Sequence, residues 1–177
     1  SITAKGFQHL YVMVFLCMKT REIIVSPSTM HPNSAWVKQQ TEMFLNETAG
    51  RTEKPAIVMH DRDTKFTKEF VAALEARSVR ANALPKGSPN LNGRCERVIQ
   101  TLKLECLQKF LIFGQRHLDH ILREFTEYYN RVRSHTERDH LPPIHSTPDE
   151  VPMLESEQIV VKTFVGGLVK SFERKAA

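Results

Sequence analysis

Apolar residues fall into short unbroken runs at the front of the chain and into helically spaced stripes further on. Residues 10–17 (Leu-Tyr-Val-Met-Val-Phe-Leu-Cys) make an apolar run of strand length, which predicts a strand buried on both faces. Residues 22–26 predict its partner across a turn at Lys19 and Thr20, closed by Pro27. Asn33 or Ser34 can cap a helix to about Glu47, with Trp36, Gln40, Met43 and Phe44 at helical period. Trp36 reads there as a core anchor. Residues 48–55 look like loop, and residues 56–60 predict a short central strand ending at an acidic turn.

Thr67 can cap a helix through Arg77 whose Phe70, Val71 and Leu74 form one apolar stripe. Residues 79–84 predict a further strand, stopped by Pro85, and the loop over 86–92 is rich in turn formers. Asn92 can cap a long helix to about Lys109, with Cys95, Ile99, Leu102 and Cys106 facing inward. Leu118, Ile121, Leu122, Phe125 and Tyr129 mark a second long helix over about 116–134. Residues 136–157 carry four prolines and little periodicity, which predicts irregular chain. Residues 159–165 read as a strand or clip, followed by Gly166, Gly167 and a basic tail that packs on the core or trails from it. Strands first and alternating helices after them predict an α/β layer structure. The expected division is a core over residues 1–135 and an irregular extension over 136–177.

Composition narrows the classes. At 177 residues, 41% hydrophobic and 25% charged, the chain suits one buried domain and excludes wholesale disorder. Its longest apolar run is far short of the ~20 residues that a membrane span needs, and no secretory signal is visible. The chain opens on Ser1, so its natural start is expected to lie upstream. Cys17, Cys95 and Cys106 are odd in number and form no CxxC pair, which predicts small core residues in a reducing compartment. A formal charge of +5 is compatible with a polyanionic partner.

Two carboxylates stand out by context. Asp61 directly follows the strand at 56–60, and the carboxyl ends of strands line the crevice in open α/β sheets. Glu96 lies early in the helix after the turn-rich loop. Two-metal phosphoryl transfer needs hard oxygen ligands converging from different elements, and an Asp at a strand end with a Glu on a helix can supply them. Local physics also accommodates Asp61 and Asp63 as turn residues and Glu96 as a helix N-terminal preference. No Gly-rich dinucleotide fingerprint, P-loop or nucleophile elbow is present, so a metabolic enzyme is poorly supported.

Three segments carry a resemblance. Ile57-Val-Met-His-Asp-Arg-Asp-Thr-Lys-Phe66, Ser88-Pro-Asn-Leu-Asn-Gly-Arg-Cys-Glu-Arg97 and Thr101-Leu-Lys-Leu-Glu105 resemble the integrase core of bacterial insertion-sequence transposases and retroviral-type integrases, the DDE-type enzymes. Tyr128-Tyr-Asn-Arg-Val-Arg-Ser-His135 and Thr147-Pro148 resemble the later segments of bacterial members. The resemblance implies a ribonuclease H-like mixed sheet flanked by helices, with the first strand incomplete. It implies Mg²⁺ or Mn²⁺ as cofactor, held by Asp61 and Glu96 as catalytic metal ligands. The family's second aspartate lies five residues before an aromatic, so Phe66 selects Asp61 over Asp63. The family's first aspartate lies in a strand preceding residues 10–17. No Asp or Glu precedes Glu22 here, so the third ligand is absent and the chain reads as cut at its N-terminal edge.

The implied activity is DNA integration or transposition by metal-dependent phosphodiester cleavage and strand transfer. The alternative is a catalytically inactive transposase remnant that only binds DNA or oligomerises. The expected partners are DNA and further copies of the chain as a homo-oligomer, with no membrane, and the expected location is the cytoplasm, with the DNA. Lys86, Arg94, Arg97, Gln100 and Lys103 are the DNA-contact candidates. Gln100 and Lys103 lie four and seven residues after Glu96 and so share its helix face. A solvated helix surface accounts for the same residues.

Overall fold

The computed structural model describes residues 2–3, 6–85, 89–145 and 159–175. The chain opens with β1 (Ile2–Thr3) paired antiparallel to β2 (Gly6–Phe7). The first long hairpin pairs β3 (Val14–Leu16) with β4 (Ile23–Val25), Leu16 opposite Ile23. Backbone bonds extend it in both directions, from Cys17 N to Glu22 O at 2.8 Å and reciprocally between Tyr11 and Thr29 at 2.9 Å. Arg21 takes the left-handed conformation, φ 66°, that closes the turn. Its guanidinium holds the Met18 carbonyl at 2.7 Å.

The strand predicted over 10–17 is shorter and less buried than its composition suggests. Of its residues only Phe15 is buried, Tyr11 is 46% exposed, and Cys17 lies on the surface rather than in the core. Among the described residues β3 has a partner on one side alone, so half its run lacks a covering neighbour. Burial raises the Cys17 thiol, but hydrogen bonds from the Thr20 side chain and the Thr20 and Lys19 backbone outweigh it and hold the thiol below its usual range. Cys106 is buried and pushed up to about 12 by desolvation. Because the thiolate is the reactive form, brief alkylation of the native protein at pH 8 is expected to label Cys17 first and Cys106 last. Equal labelling, read by mass spectrometry, would contradict this ordering.

Helix α1 (Ser34–Thr48) begins where Asn33 accepts the Trp36 N–H at 2.9 Å, the side-chain cap that the sequence predicts. It buries Val37, Gln40, Thr41, Phe44, Leu45 and Thr48, while Trp36 and Met43 pack at the rim. Then β5 (Ile57–His60), α2 (Lys68–Glu75) and β6 (Arg80–Ala83) form one β-α-β unit, with β5 and β6 parallel. Phe70 and Leu74 of α2 are fully buried against Phe15, Phe44 and Val79. The Phe15 and Phe44 rings stack at 4.2 Å.

The strand β5 is not central as predicted. Its sheet has two strands, and Ile57 and Met59 are 42% and 46% exposed. Val58 alone faces the cluster beneath α1 and α2. One edge of β5 is therefore unpaired among the described residues, and its other face carries apolar side chains in the open.

A second cluster lies under α3 (Pro89–Thr101) and α4 (Gly114–Arg131). Helix α3 starts at Pro89, ahead of the predicted Asn92 cap. Proline suits a first helical position, where its missing N–H has no intrahelical role. The inward residues are Val98, Leu102 and Cys106, with Cys95 half-buried, whereas Ile99 is 38% exposed and not on the inner face. After Thr101 the helix changes form, to a π-helical turn over Leu102–Cys106 and a 3-10 turn over Leu107–Lys109. Leu102 and Cys106, four positions apart, both stay against the core across this turn. Helix α4 buries Leu118, Ile121, Leu122, Phe125 and Tyr129 as its stripe predicts, and ends where Val132 and Arg133 both donate to the Tyr128 carbonyl.

The tail forms a hairpin, β7 (Ile159–Phe164) antiparallel to β8 (Val169–Arg174), joined by a 3-10 turn. Val165 in that turn is buried in the second cluster, and Phe164 meets Tyr128 of α4 at 5.9 Å between ring centroids. The hairpin is thus anchored at its turn. Thr147 and Pro148 lie outside the described residues, as does most of the stretch predicted irregular. No helix among the described residues is long and apolar enough to cross a membrane.

Candidate metal and nucleic-acid site

The loop after β5 separates its two aspartates by their partners. Lys65 donates to the Asp63 carboxylate from its ammonium at 2.9 Å and from its backbone N–H at 2.9 Å. These bonds hold the Asp63 carboxyl below its usual range. Asp61 is exposed, and the one hydrogen bond on its carboxylate is the Asp63 N–H at 3.0 Å. Asp61 therefore keeps acceptor capacity that Asp63 has spent on a neighbour.

Aromatic packing props the loop. The His60 ring lies 4.9 Å from Phe66 and 5.1 Å from Phe70, and Phe66 lies 4.8 Å from Phe70. The His60 Nδ1 is 2.6 Å from the Asp61 carbonyl. Arg62 Nε donates to the Leu84 carbonyl at 2.9 Å, tying the loop to the end of β6. The aromatic that picks out Asp61 in the sequence thus folds the chain back beneath it.

Glu96 is exposed on α3 and has no hydrogen bond or ion pair among the described residues. Its neighbour Cys95 is half-buried. Burial raises the Cys95 thiol most, and the negative fields of Asp61 and Glu96 raise it further. Gly93, Glu96, Arg97, Ile99, Gln100 and Lys103 line a shallow depression of about 500 Å³ along α3. Gln100 and Lys103 do share the face of Glu96, and Arg97 donates to the Gln100 side chain at 3.3 Å. Arg94 is exposed on the same helix, and Lys86 lies outside the described residues.

Among the described residues no group of three or more His, Cys, Asp or Glu side chains could hold a metal ion. Mg²⁺ is commonly bound by one or two carboxylates with the rest of its octahedron filled by water and substrate phosphate, so the chemistry of Asp61 and Glu96 suits it.

Two further groups explain motif residues to which the sequence gives no role. Asn130 is buried in α4, where its side chain accepts the Ile23 N–H at 2.9 Å and donates to the Ile23 carbonyl at 2.8 Å. It clamps the edge of β4 to the helix. Arg133 makes a bidentate pair with Glu105 of the π turn at 2.7 and 2.8 Å, with its guanidinium 5.6 Å from the Tyr129 ring centroid. The available signal for Asn130 is a polar residue at the end of an apolar stripe, where a buried amide must find partners.

The integrase core domain family matches over residues 77–143, a stretch that contains Glu96 but not Asp61. No curated protein matches the chain. Among solved structures it is similar to a chain of the simian T-cell lymphotropic virus intasome in complex with PP2A regulatory subunit B56 gamma. That similarity has a TM-score of 0.62 at 14% identity, over 82% of this chain and 51% of the other. The chain thus spans about half the length of that relative, and the likeness is one of fold. The small sheets with flanking helices fit the ribonuclease H-like α/β class. Residues 77–143 are thus similar to the integrase core domain family, and the likeness of the surrounding fold to the intasome chain supports an integrase-type core.

Proposed function

We propose that the chain serves metal-dependent cleavage and joining of DNA strands, with Asp61 and Glu96 as two of the carboxylate ligands. The observation that carries this reading is a pair of exposed carboxylates on two elements, Asp61 just after β5 and Glu96 on α3, with 34 residues between them in the chain. A bound Mg²⁺ or Mn²⁺ would polarise the phosphodiester and favour the deprotonated form of an attacking water or 3′-hydroxyl. The protein's own part is positioning. Asp61 is held by the Asp63 N–H and the aromatic prop, and Glu96 by a helix packed through Val98 and Leu102. Arg94, Arg97, Gln100 and Lys103 meet phosphates along the α3 face, and Lys86, outside the described residues, is the further phosphate contact of this reading.

Oligomerisation on DNA is the accompanying expectation, since two ends must be joined in one assembly. The second reading, a DNA-binding or oligomerising module without catalysis, is favoured by the lack of a three-ligand cluster among the described residues.

Nicking and strand transfer on a labelled duplex in Mn²⁺, with Asp61→Asn and Glu96→Gln alongside, separates the two. Activity that both substitutions abolish supports the catalytic reading. Activity equal in all three proteins, or absent from all, overturns catalysis by this chain and leaves the second reading.

A further inference from the structure

The outer face of α4 carries a cationic stripe that the fold does not account for. Arg116, His120 and Arg123 are all exposed, and their spacing of four and three residues sets them on one side of the helix. Arg116 and Arg123 have no carboxylate partner among the described residues, and Arg123 instead donates to His120 Nδ1 at 3.0 Å. That bond leaves the His120 proton on Nε2.

The contrast within the same region is informative. Arg131 and Arg133, at the other end of the helix, are paired with Glu127 and Glu105. The nearby carboxylates are engaged or displaced: Asp119 accepts the Ser28 N–H at 2.7 Å, Glu127 serves Arg131, and Glu124 is half-buried off the stripe. No acidic residue occupies the first turn of α4. Arg116, in the first turn of α4, opposes the helix macrodipole, and no carboxylate among the described residues pairs with it. The inner face of α4 is committed to the core through Leu118, Ile121, Leu122 and Phe125, which leaves the stripe to an external partner.

We propose that Arg116, His120 and Arg123 form a second DNA-backbone contact, separate from the α3 face. This rests on the reading that the chain works on DNA. Arg116 to Arg123 spans about 10 Å of helix axis, close to the rise of about three nucleotides along one strand of B-form DNA. Such a stripe holds phosphates and does not read bases.

The test is duplex binding by the whole chain, measured by fluorescence anisotropy across a salt series. Three variants accompany the wild type: Arg116→Gln/Arg123→Gln, Arg116→Lys/Arg123→Lys, and Arg97→Gln/Lys103→Gln on α3. The first should bind at least tenfold more weakly at low salt and flatten the slope of log K against log salt by about two. The lysine pair should retain most of the affinity, and circular dichroism should be unchanged throughout. If the α3 pair weakens binding and the α4 glutamine pair does not, this inference falls while the proposed function stands. Loss in the lysine pair as large as in the glutamine pair overturns the phosphate reading. A wild-type chain that binds no DNA overturns both.

Discussion

Replacing Glu96 by Gln is expected to lower Mn²⁺-dependent strand cleavage by about a hundredfold or more, several kcal/mol of transition-state stabilisation, without moving the thermal midpoint. The two halves of that outcome have separate causes. Glu96 is exposed and carries no hydrogen bond or ion pair among the described residues, so the fold loses nothing when its charge goes. Glutamine keeps the length, shape and helix preference of the side chain and removes only the anionic oxygen that a hard divalent ion requires. Glu105→Gln is the contrasting control. It breaks a bidentate pair with Arg133 and so acts first on stability. A Glu96→Gln protein with wild-type turnover would remove Glu96 from the site.

Asn130→Leu should lower the free energy of unfolding by about 3 kcal/mol, because it strips partners from two buried backbone groups at a typical 1–3 kcal/mol each. Ile23 is fully buried, and its N–H and carbonyl both bond to the Asn130 amide. Leucine keeps the number and branching of the side-chain heavy atoms and leaves no cavity, so the loss comes chiefly from the hydrogen bonds. The clamp joins residues 107 apart in sequence, and its failure frees the front hairpin from α4. Asn46→Ala makes the comparison, since Asn46 meets Arg77 on the surface and its removal should cost under ~0.5 kcal/mol. Urea denaturation reads both, and equal midpoints for the two variants would refute the clamp.

Much of this architecture can be read along the chain, because the forces that build it are local. The Asn33 cap, the Phe70 and Leu74 stripe of α2 and the inward face of α4 all arise from spacing and capping alone. Phe66, the aromatic by which the resemblance selects Asp61 over Asp63, packs on His60 and Phe70 at the base of that loop. The features hidden from the sequence depend on neighbours distant along the chain. An apolar run such as residues 10–17 says that a strand forms, but its burial depends on how many strands flank it. Cys17 is exposed for that reason, and so are Ile57 and Met59 on β5. A uniform helical period points Ile99 inward, and the inner line instead runs through Val98 and Leu102. How Asp61 and Glu96 sit relative to one another depends on the crossing of two elements and has no signature in either segment.

The π turn over Leu102–Cys106 also bears on how this sequence can change over generations. A helix holding one residue more than its α-helical path requires has slack that a deletion can remove. Loss of a single codon at Leu104 would bring the cysteine to the seventh position after Val98, on the same buried side as before. Everything upstream, Glu96 included, would keep its place. The residue displaced would be Glu105, and with it the pairing to Arg133. Length variation among relatives is therefore expected to gather in this turn, accompanied by loss of one or both members of that ion pair.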